Sequence, residues 1–248
     1  MLENVKNLIN HDEGKTIKTI LKNISDCGYT FDITVINSNE SGVPQSRERT
    51  YIVGMINHKI EPFETDKRNQ KINIIKKWAN ENNLKTMNFF NKITMIKKQQ
   101  YIIDILDKEL NNKFFFSSQK VKNYLKSLDA DFLKTKKDCK IIKEFDIPRE
   151  VHNDLDRQRR IYSIYGISPT LLARSDSPKI IIKINNEYKI RKLTPYETLR
   201  VQGFDQKFVN NVKENGMSET QLYKQAGNAV SPPVISQIVN AMKEYLDE

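Results

Sequence analysis

Cysteine is nearly missing from this chain. Its 248 residues hold two, Cys27 and Cys139, and neither sits in a CxxC pair. That spacing excludes a disulfide framework and a cysteine-built zinc site, and no metal is expected. No apolar run approaches the roughly 20 residues a membrane helix needs, so no membrane partner is expected either. The opening residues Met1-Leu2-Glu3-Asn4-Val5 lack a basic stretch followed by an apolar one, so secretion is not expected. No repeat period stands out. A reducing, cytoplasmic setting is the expectation.

What is present is charge. Lysine and arginine total 41 against 31 acids, a net charge of +10, and the pI is near 9.4. With 38% hydrophobic and 29% charged residues the composition suits a globular protein. A basic balance of this size is the footprint of a protein that meets phosphate backbones. A basic protein with no nucleic-acid role is equally compatible with charge alone.

The chain reads as three unequal pieces. In the first, Asp12 is placed to cap a helix whose Ile17, Ile20, Leu21 and Ile24 recur at three- and four-residue steps, with Gly28 as its stop. Two β-rich runs follow, from Phe31 to Ile36 and from Arg49 to Met55, joined by a polar stretch containing Gly42 and Pro44. One helix and two strands bury too little to stand alone. The second piece, from about Glu61 to Tyr188, is rich in Lys and Asn. Ile72, Ile75, Trp78 and Ala79 suit a helix there, as do Tyr101, Ile102, Ile105 and Leu106. Phe114, Phe115 and Phe116 read as local core before they read as a base-stacking platform. In the third piece, Thr194-Pro195-Tyr196-Glu197 has the form of a capping box with proline at the first helical position, and Gly203 closes that helix. Tyr223 to Ser231 reads as a Gly-Asn-containing connection. Ser231 and Pro232 then start a last helix with Val234, Ile235, Ile238, Val239, Met242 and Tyr245 on one face.

Four short segments are candidates for chemistry. In Gly42-Val43-Pro44-Gln45-Ser46-Arg47-Glu48-Arg49, a period of two puts Gln45, Arg47 and Arg49 on one face as the chain enters the sheet. Two neighbouring guanidiniums repel unless something anionic or carbonyl-rich lies between them; the plain alternative is a solvated edge with a salt bridge to Glu48. Glu3, near a strand end, has the plain alternative of an exposed, inert carboxylate. Gln202-Gly203-Phe204 and Tyr223 to Val230 are the third and fourth, and ordinary loops also look this way.

In this order and wording the four segments resemble the cytosine-5 DNA methyltransferase family. Glu3-Asn4-Val5 is similar to its motif VI, and Gln45, Arg47 and Arg49 to its motif VIII, QxRxR. Arg191-Lys192-Leu193-Thr194 through Arg200-Val201-Gln202-Gly203-Phe204 resembles motif IX, and Tyr223 to Val230 with the last helix resembles motif X. The family carries a variable target-recognition domain between motifs VIII and IX. Arg160-Ile161-Tyr162-Ser163, with Gly166 and Ser168-Pro169-Thr170-Leu171, is similar to the end of that domain.

The resemblance implies a mechanism. A cytosine is extruded from the duplex, at a cost of a few kcal/mol. A cysteine thiolate adds to its carbon-6, and carbon-5 then accepts a methyl group from S-adenosylmethionine. Glu3 would hydrogen-bond the N3 and amino edge, and Arg49, with Arg47 beside it, would hold the carbonyl oxygen. Asn228, Ala229 and Val230 would lie beside the cofactor. Gln45, Thr170 and Leu171 would face the DNA, and Arg157, Arg159 and Arg160 its phosphates, although a solvated basic run fits the arginines as well.

Two departures qualify it. The family's cofactor-binding glycine motif and its Pro-Cys loop precede motif VI, where this chain begins, and neither Cys27 nor Cys139 follows a proline. Ala229 stands where serine is more usual in motif X. The expected fold is therefore α/β, a C-terminal remnant of a class I (Rossmann-like) methyltransferase domain with an inserted mixed target-recognition domain. Residues 1–60 would be catalytic, 61–190 would recognise the target, and 191–248 would return to the catalytic domain. The partners expected are double-stranded DNA and an N-terminal methyltransferase half or subunit, without which the chain is expected to be inactive and poorly stable. A non-catalytic, sequence-specific DNA-binding remnant is the alternative, and a basic interaction protein unrelated to DNA a weaker third.

Overall fold

The computed structural model describes residues 1–66, 69–94, 98–108, 110–128, 133–174 and 177–246. Contacts divide the chain into two compact units. The first comprises residues 1–40, 48–95 and 234–248; the second comprises 41–47 and 96–233. These boundaries fall elsewhere than the three segments expected from sequence texture. Residues 61–95 share the first unit with the opening strands, and 191–233 lie with the middle of the chain.

The first unit is built on a three-stranded antiparallel sheet. Strand β1 (Leu2–Val5), helix α1 (Lys15–Asp26), β2 (Tyr29–Asn37) and β3 (Glu48–Ile56) follow in sequence, and the strands lie in the order β1-β3-β2. The predicted α1 stripe is present, with Ile17 and Leu21 fully buried. Its cap is not Asp12. Asp12 and Glu13 both have positive φ, and Gly14, in the left-handed region at φ 81°, is the N-cap. The left-handed turn through Asp12 and Glu13 puts Gly14 at the cap position, and no side-chain hydrogen bond caps the helix.

Helix α2 (Gln70–Glu81) supplies the surface that the opening segment could not provide alone. Ile72, Ile75 and Ala79 join Ile17, Leu21, Phe31, Ile33 and Phe63 in one core. The Asn69 side chain caps α2 by accepting from the Lys71 amide. Lys76 on α2 reaches Asp32 on β2 at 2.9 Å, with both side chains buried. Burial pushes the Asp32 carboxyl up from its ordinary range, and the Lys76 ammonium and the Phe90 and Ile33 amides pull against that. A buried pair of this kind fixes which helix face meets the sheet more than it adds net stability.

In the second unit, α3 (Gln119–Ser127), β4 (Lys143–Asp146), α4 (Asp156–Arg159), β5 (Arg160–Ser163), β6 (Lys179–Ile184) and β7 (Glu187–Lys192) precede three helices. These are α5 (Pro195–Gln202), α6 (Gln206–Glu214) and α7 (Glu219–Asn228). The strands form a mixed sheet, β4-β5-β6-β7, in which only β5 and β6 run parallel. Alternation sends Ile161, Ile181 and Ile190 into a core with Val121 and Leu125 of α3. Tyr162, Ile180 and Ile182 belong to a second core with Leu199, Val201 and Leu222 of the helices. Asn185 and Asn186, both at positive φ, make the two-residue turn between β6 and β7.

The capping box at α5 forms as predicted, closed by Gly203 at φ 93°. Tyr101 to Leu106 makes one 3-10 turn over Ile102–Ile105 rather than a helix. Phe114 is buried, and Phe115 and Phe116 pack against the two cores. The predicted connection from Tyr223 is helical as far as Asn228, because Leu222, Tyr223 and Ala226 lie on a buried face of α7. Helix α8 (Pro232–Leu246) begins where predicted. Its buried positions are Val234, Ile238 and Ala241, while Val239 is exposed and the Tyr245 side chain lies outside the described residues. Among the described residues no helix is long and apolar enough to cross a membrane.

Candidate functional site

In the first unit the register of β1 on β3 sets Glu3 opposite Tyr51 and Val5 opposite Arg49. Glu3 and Arg49 are therefore diagonal neighbours on one face, near enough for long side chains to meet. They do: Arg49 Nε lies 3.1 Å from Glu3 Oε1. The pair is neither sealed nor fully solvated, with side-chain exposures of 16% for Arg49 and 25% for Glu3. Arg49 Nη1 donates to the Glu48 carbonyl, and the Glu48 carboxylate is taken by Lys6 at 2.6 Å. Among the described residues no hydrogen bond reaches Arg49 Nη2 or Glu3 Oε2. The result is a carboxylate and a guanidinium locked side by side, each with one atom to offer a ligand.

Gln45 and Arg47 belong to the second unit and precede β3, which starts at Glu48. The two-residue period does not carry across that boundary. Gln45 is completely buried. Its Nε2 donates to the Val201 carbonyl and its Oε1 accepts from the Leu171 amide. Arg47 is 4% exposed and donates to the carbonyls of Leu171, Gly227 and Ala229. Neighbouring backbone bonds join the same strip: Ser46 to Ser168, Ser168 to Pro44, and the Thr170 hydroxyl to the Ser46 carbonyl. Among backbone carbonyls, Arg47 finds the acceptor-rich setting that two close guanidiniums require.

The other proposed DNA-facing residues divide. Arg157 is exposed and donates to the Thr170 carbonyl at 3.3 Å. Arg160 is exposed. Arg159 is half-buried and committed to the Ile147 carbonyl and Asp156. The Arg149 and Arg159 guanidiniums hold the Asp156 carboxyl down to about 2. The Leu171 side chain is buried, so only its backbone borders the strip. Asn228 is exposed at the end of α7, followed by half-buried Ala229 and Val230. Both cysteines are exposed thiols. Among the described residues no cluster of His, Cys, Asp and Glu could hold a metal ion.

A network that the motif-by-motif reading passed over lies around α5. Arg191 and Glu197 form a fully buried two-bond ion pair at 2.7 and 2.8 Å. Glu197 also accepts from the amides of Thr194 and Asp107. Asp107 in turn accepts from the Thr194 hydroxyl and from Arg200. The signal was available in the sequence: a capping-box glutamate with arginines at 191 and 200 can be shared between helix cap and cation.

Comparisons with known proteins agree on the family. The model of the C-5 cytosine-specific DNA methylase family matches residues 1–244. The orphan methyltransferase M.SPBetaI of Bacillus phage SPbeta is 29% identical over 289 residues, covering 96% of this chain and 64% of that protein. The type II methyltransferase M.SsoII of Shigella sonnei is 28% identical, covering 100% of this chain and 53% of that protein. Among solved structures, the S. pombe Dnmt2 methyltransferase has the same fold, with a TM-score of 0.60 at 15% identity over 99% of this chain and 65% of its own. The chain thus spans less than two thirds of the length of these relatives. It has a class I methyltransferase-like α/β fold, and it belongs to the C-5 cytosine-specific DNA methylase family.

Proposed function

We propose that this chain is the base-reading and DNA-reading portion of a DNA (cytosine-5-)-methyltransferase. It would act on double-stranded DNA in a restriction-modification setting, with S-adenosylmethionine as methyl donor. The observation that carries this reading is the Glu3–Arg49 pair, with one oxygen and one nitrogen left to a ligand. An extruded cytosine presents a complementary edge: an amino group and ring nitrogen for the carboxyl, and a carbonyl oxygen for the guanidinium. When a thiolate adds to carbon-6, electron density moves onto that nitrogen and oxygen. Hydrogen bonding of that edge by Glu3 and a fixed positive charge at Arg49 stabilise it where it develops.

The thiolate is assigned to an N-terminal half, because Cys27 and Cys139 are exposed and neither follows a proline. The geometry of β1 supports such a partner. Among the described strands β1 pairs with β3 alone, and Leu2 and Val5 on it are about half exposed. An unpaired, apolar edge is a ready template for another strand. At the end of α7, exposed Asn228 beside half-buried Ala229 and Val230 fits one side of an adenosyl-amino-acid ligand and supplies one wall for it. When bound, that ligand supplies an electrophilic methyl group. Phosphate contacts are assigned to the exposed Arg157 and Arg160 ahead of half-buried Arg159. The recognition role given to residues 61–190 rests on the part after residue 98, since 61–95 completes the core under the first sheet.

Incubation with tritiated S-adenosylmethionine and a cytosine-containing duplex tests the reading. The arms are the chain alone and the chain mixed with the N-terminal segment of the phage SPbeta relative. Transfer to DNA only in the mixture is the expected result; turnover by the chain alone contradicts the split. Sequence-specific binding by the mixture without any transfer favours the DNA-binding remnant instead.

A further inference from the structure

We propose that Arg47 is a positioning residue. Its buried guanidinium clamps the Ser168–Ala173 stretch to the C-terminal turn of α7, with Gly227 as the crossing point. This rests on the preceding proposal only in what the two stretches are for: Thr170-Leu171 toward DNA, Asn228–Val230 toward the methyl donor. The clamp itself stands on geometry.

Two independent observations point to the same contact. The first is the fork of Arg47. Nη2 donates to both Gly227 and Ala229 at 3.1 Å, and Nη1 reaches Leu171 at 3.5 Å, so one planar cation spans acceptors that are 56 or more residues apart in sequence. The turn it grips is the C-terminal end of a helix, where carbonyls lack amide partners and the helix dipole favours a cation. The second observation is the crossing itself. A Cβ built on Gly227 would stand 2.2 Å from the Leu172 carbonyl carbon and 2.3 Å from the Ala173 nitrogen. No side chain fits between these backbones, and the close approach is made possible by glycine.

Gln45 reinforces the arrangement two residues earlier by accepting from the Leu171 amide. Gln202 does so from α5 by donating to the Ala226 carbonyl. With both stretches tied to one rigid cation, neither shifts alone, so a ligand that orders one also orders the other. Lysine cannot replace this arginine. An ammonium on a flexible stem reaches the α7 turn or Leu171, and it lacks the flat fork that holds both.

Amide hydrogen exchange on the full chain tests the clamp, comparing wild type with Arg47→Met, Arg47→Lys and Gly227→Ala. Arg47→Met and Gly227→Ala are expected to speed exchange about tenfold or more in both stretches, 168–173 and 225–230, while Ile180–Ile182 of β6 keeps its protection. Arg47→Lys should restore protection in one stretch only. Adding duplex DNA should slow exchange in both stretches of the wild type, and in Arg47→Met only in 168–173. Unchanged exchange at 225–230 in Arg47→Met, or full rescue by lysine, overturns the clamp. If Arg47→Met fails to fold, the same two-stretch signature in Gly227→Ala decides the matter, and its absence there overturns the clamp. Wild-type chain that shows the clamp signature but does not bind DNA contradicts the proposed function and leaves the clamp standing.

Discussion

Arg47 and Arg49 stand two residues apart in one motif, yet they fold into different compact units and meet opposite surroundings. Arg47 is sealed among backbone carbonyls. Arg49 lies against a carboxylate on a partly open face, with a nitrogen to spare. A guanidinium whose two terminal nitrogens donate to buried carbonyls belongs to the architecture, and breaking such an arrangement costs stability. One held at the surface by a single carboxylate is poised for a ligand, and removing it costs function. The same contrast separates the buried Arg191–Glu197 pair from the partly open Glu3–Arg49 pair.

The largest effect expected from breaking this comparison is at Glu197. Glu197→Gln leaves Arg191 buried without its anion and should cost about 3–5 kcal/mol, read from the urea midpoint. A loss below about 1 kcal/mol would place Arg191 among the solvated arginines instead.

A second test sets the two units against each other in pH. Burial raises Asp32 in the first unit, so the folded chain holds that proton to higher pH than the unfolded one. Its contribution is fully present below the ordinary value near 3.8 and is lost as pH rises through the folded value. Asp156 in the second unit is lowered to about 2 by Arg149 and Arg159, so its contribution is present above 3.8 and is lost as pH falls toward 2. Urea titrations between about pH 6 and pH 2 should show Asp156→Asn flattening the acid limb. Lys76→Met removes a cation that lowers Asp32, so the loss with rising pH should extend to higher pH. Identical pH profiles for both variants and wild type contradict the assignment.

Arg49→Met should change stability by less than about 1 kcal/mol, as expected of a partly exposed pair; a loss comparable to that at Glu197 would make Arg49 architectural too. Smallest of all, Cys27→Ser and Cys139→Ser should each stay within about 0.5 kcal/mol of wild type and leave transfer by the complemented enzyme untouched. Loss of transfer in either would return the nucleophile to this chain.

Local chemistry was the legible part of this molecule. Thr194, Pro195, Glu197 and Gly203 specify α5 within ten residues, and Ser231-Pro232 specify the start of α8. The approach of Glu3 to Arg49 was anticipated through the family motifs alone, since Leu2–Val5 has no buried apolar alternation that would specify its pairing with β3. The Asn185-Asn186 turn between Lys179–Ile184 and Glu187–Lys192 is a hairpin signal that the Lys- and Asn-rich texture of the middle piece concealed. The fate of Gln45 and Arg47 was not legible, since their partners lie from Leu171 to Ala229, and a two-residue period cannot say where a strand begins. The placement of α2 under the first sheet was hidden for the same reason: the Lys76–Asp32 pair spans 44 residues, and a lysine in an amphipathic helix reads as solvated until its partner is seen. The Asp12 cap failed because left-handed backbone at Asp12 and Glu13 depends on the turn that packs Gly14 near Ile9 and Ile75.

The most direct measurement of the central claim is methyl transfer by the complemented enzyme carrying Glu3→Gln or Arg49→Met, with thermal melting recorded on the same samples. Transfer to cytosine should fall by about 100-fold or more in each, as when a donor to developing charge is removed, while melting stays at the wild-type value. Wild-type rates in both variants would contradict the assignment of this pair to the extruded base.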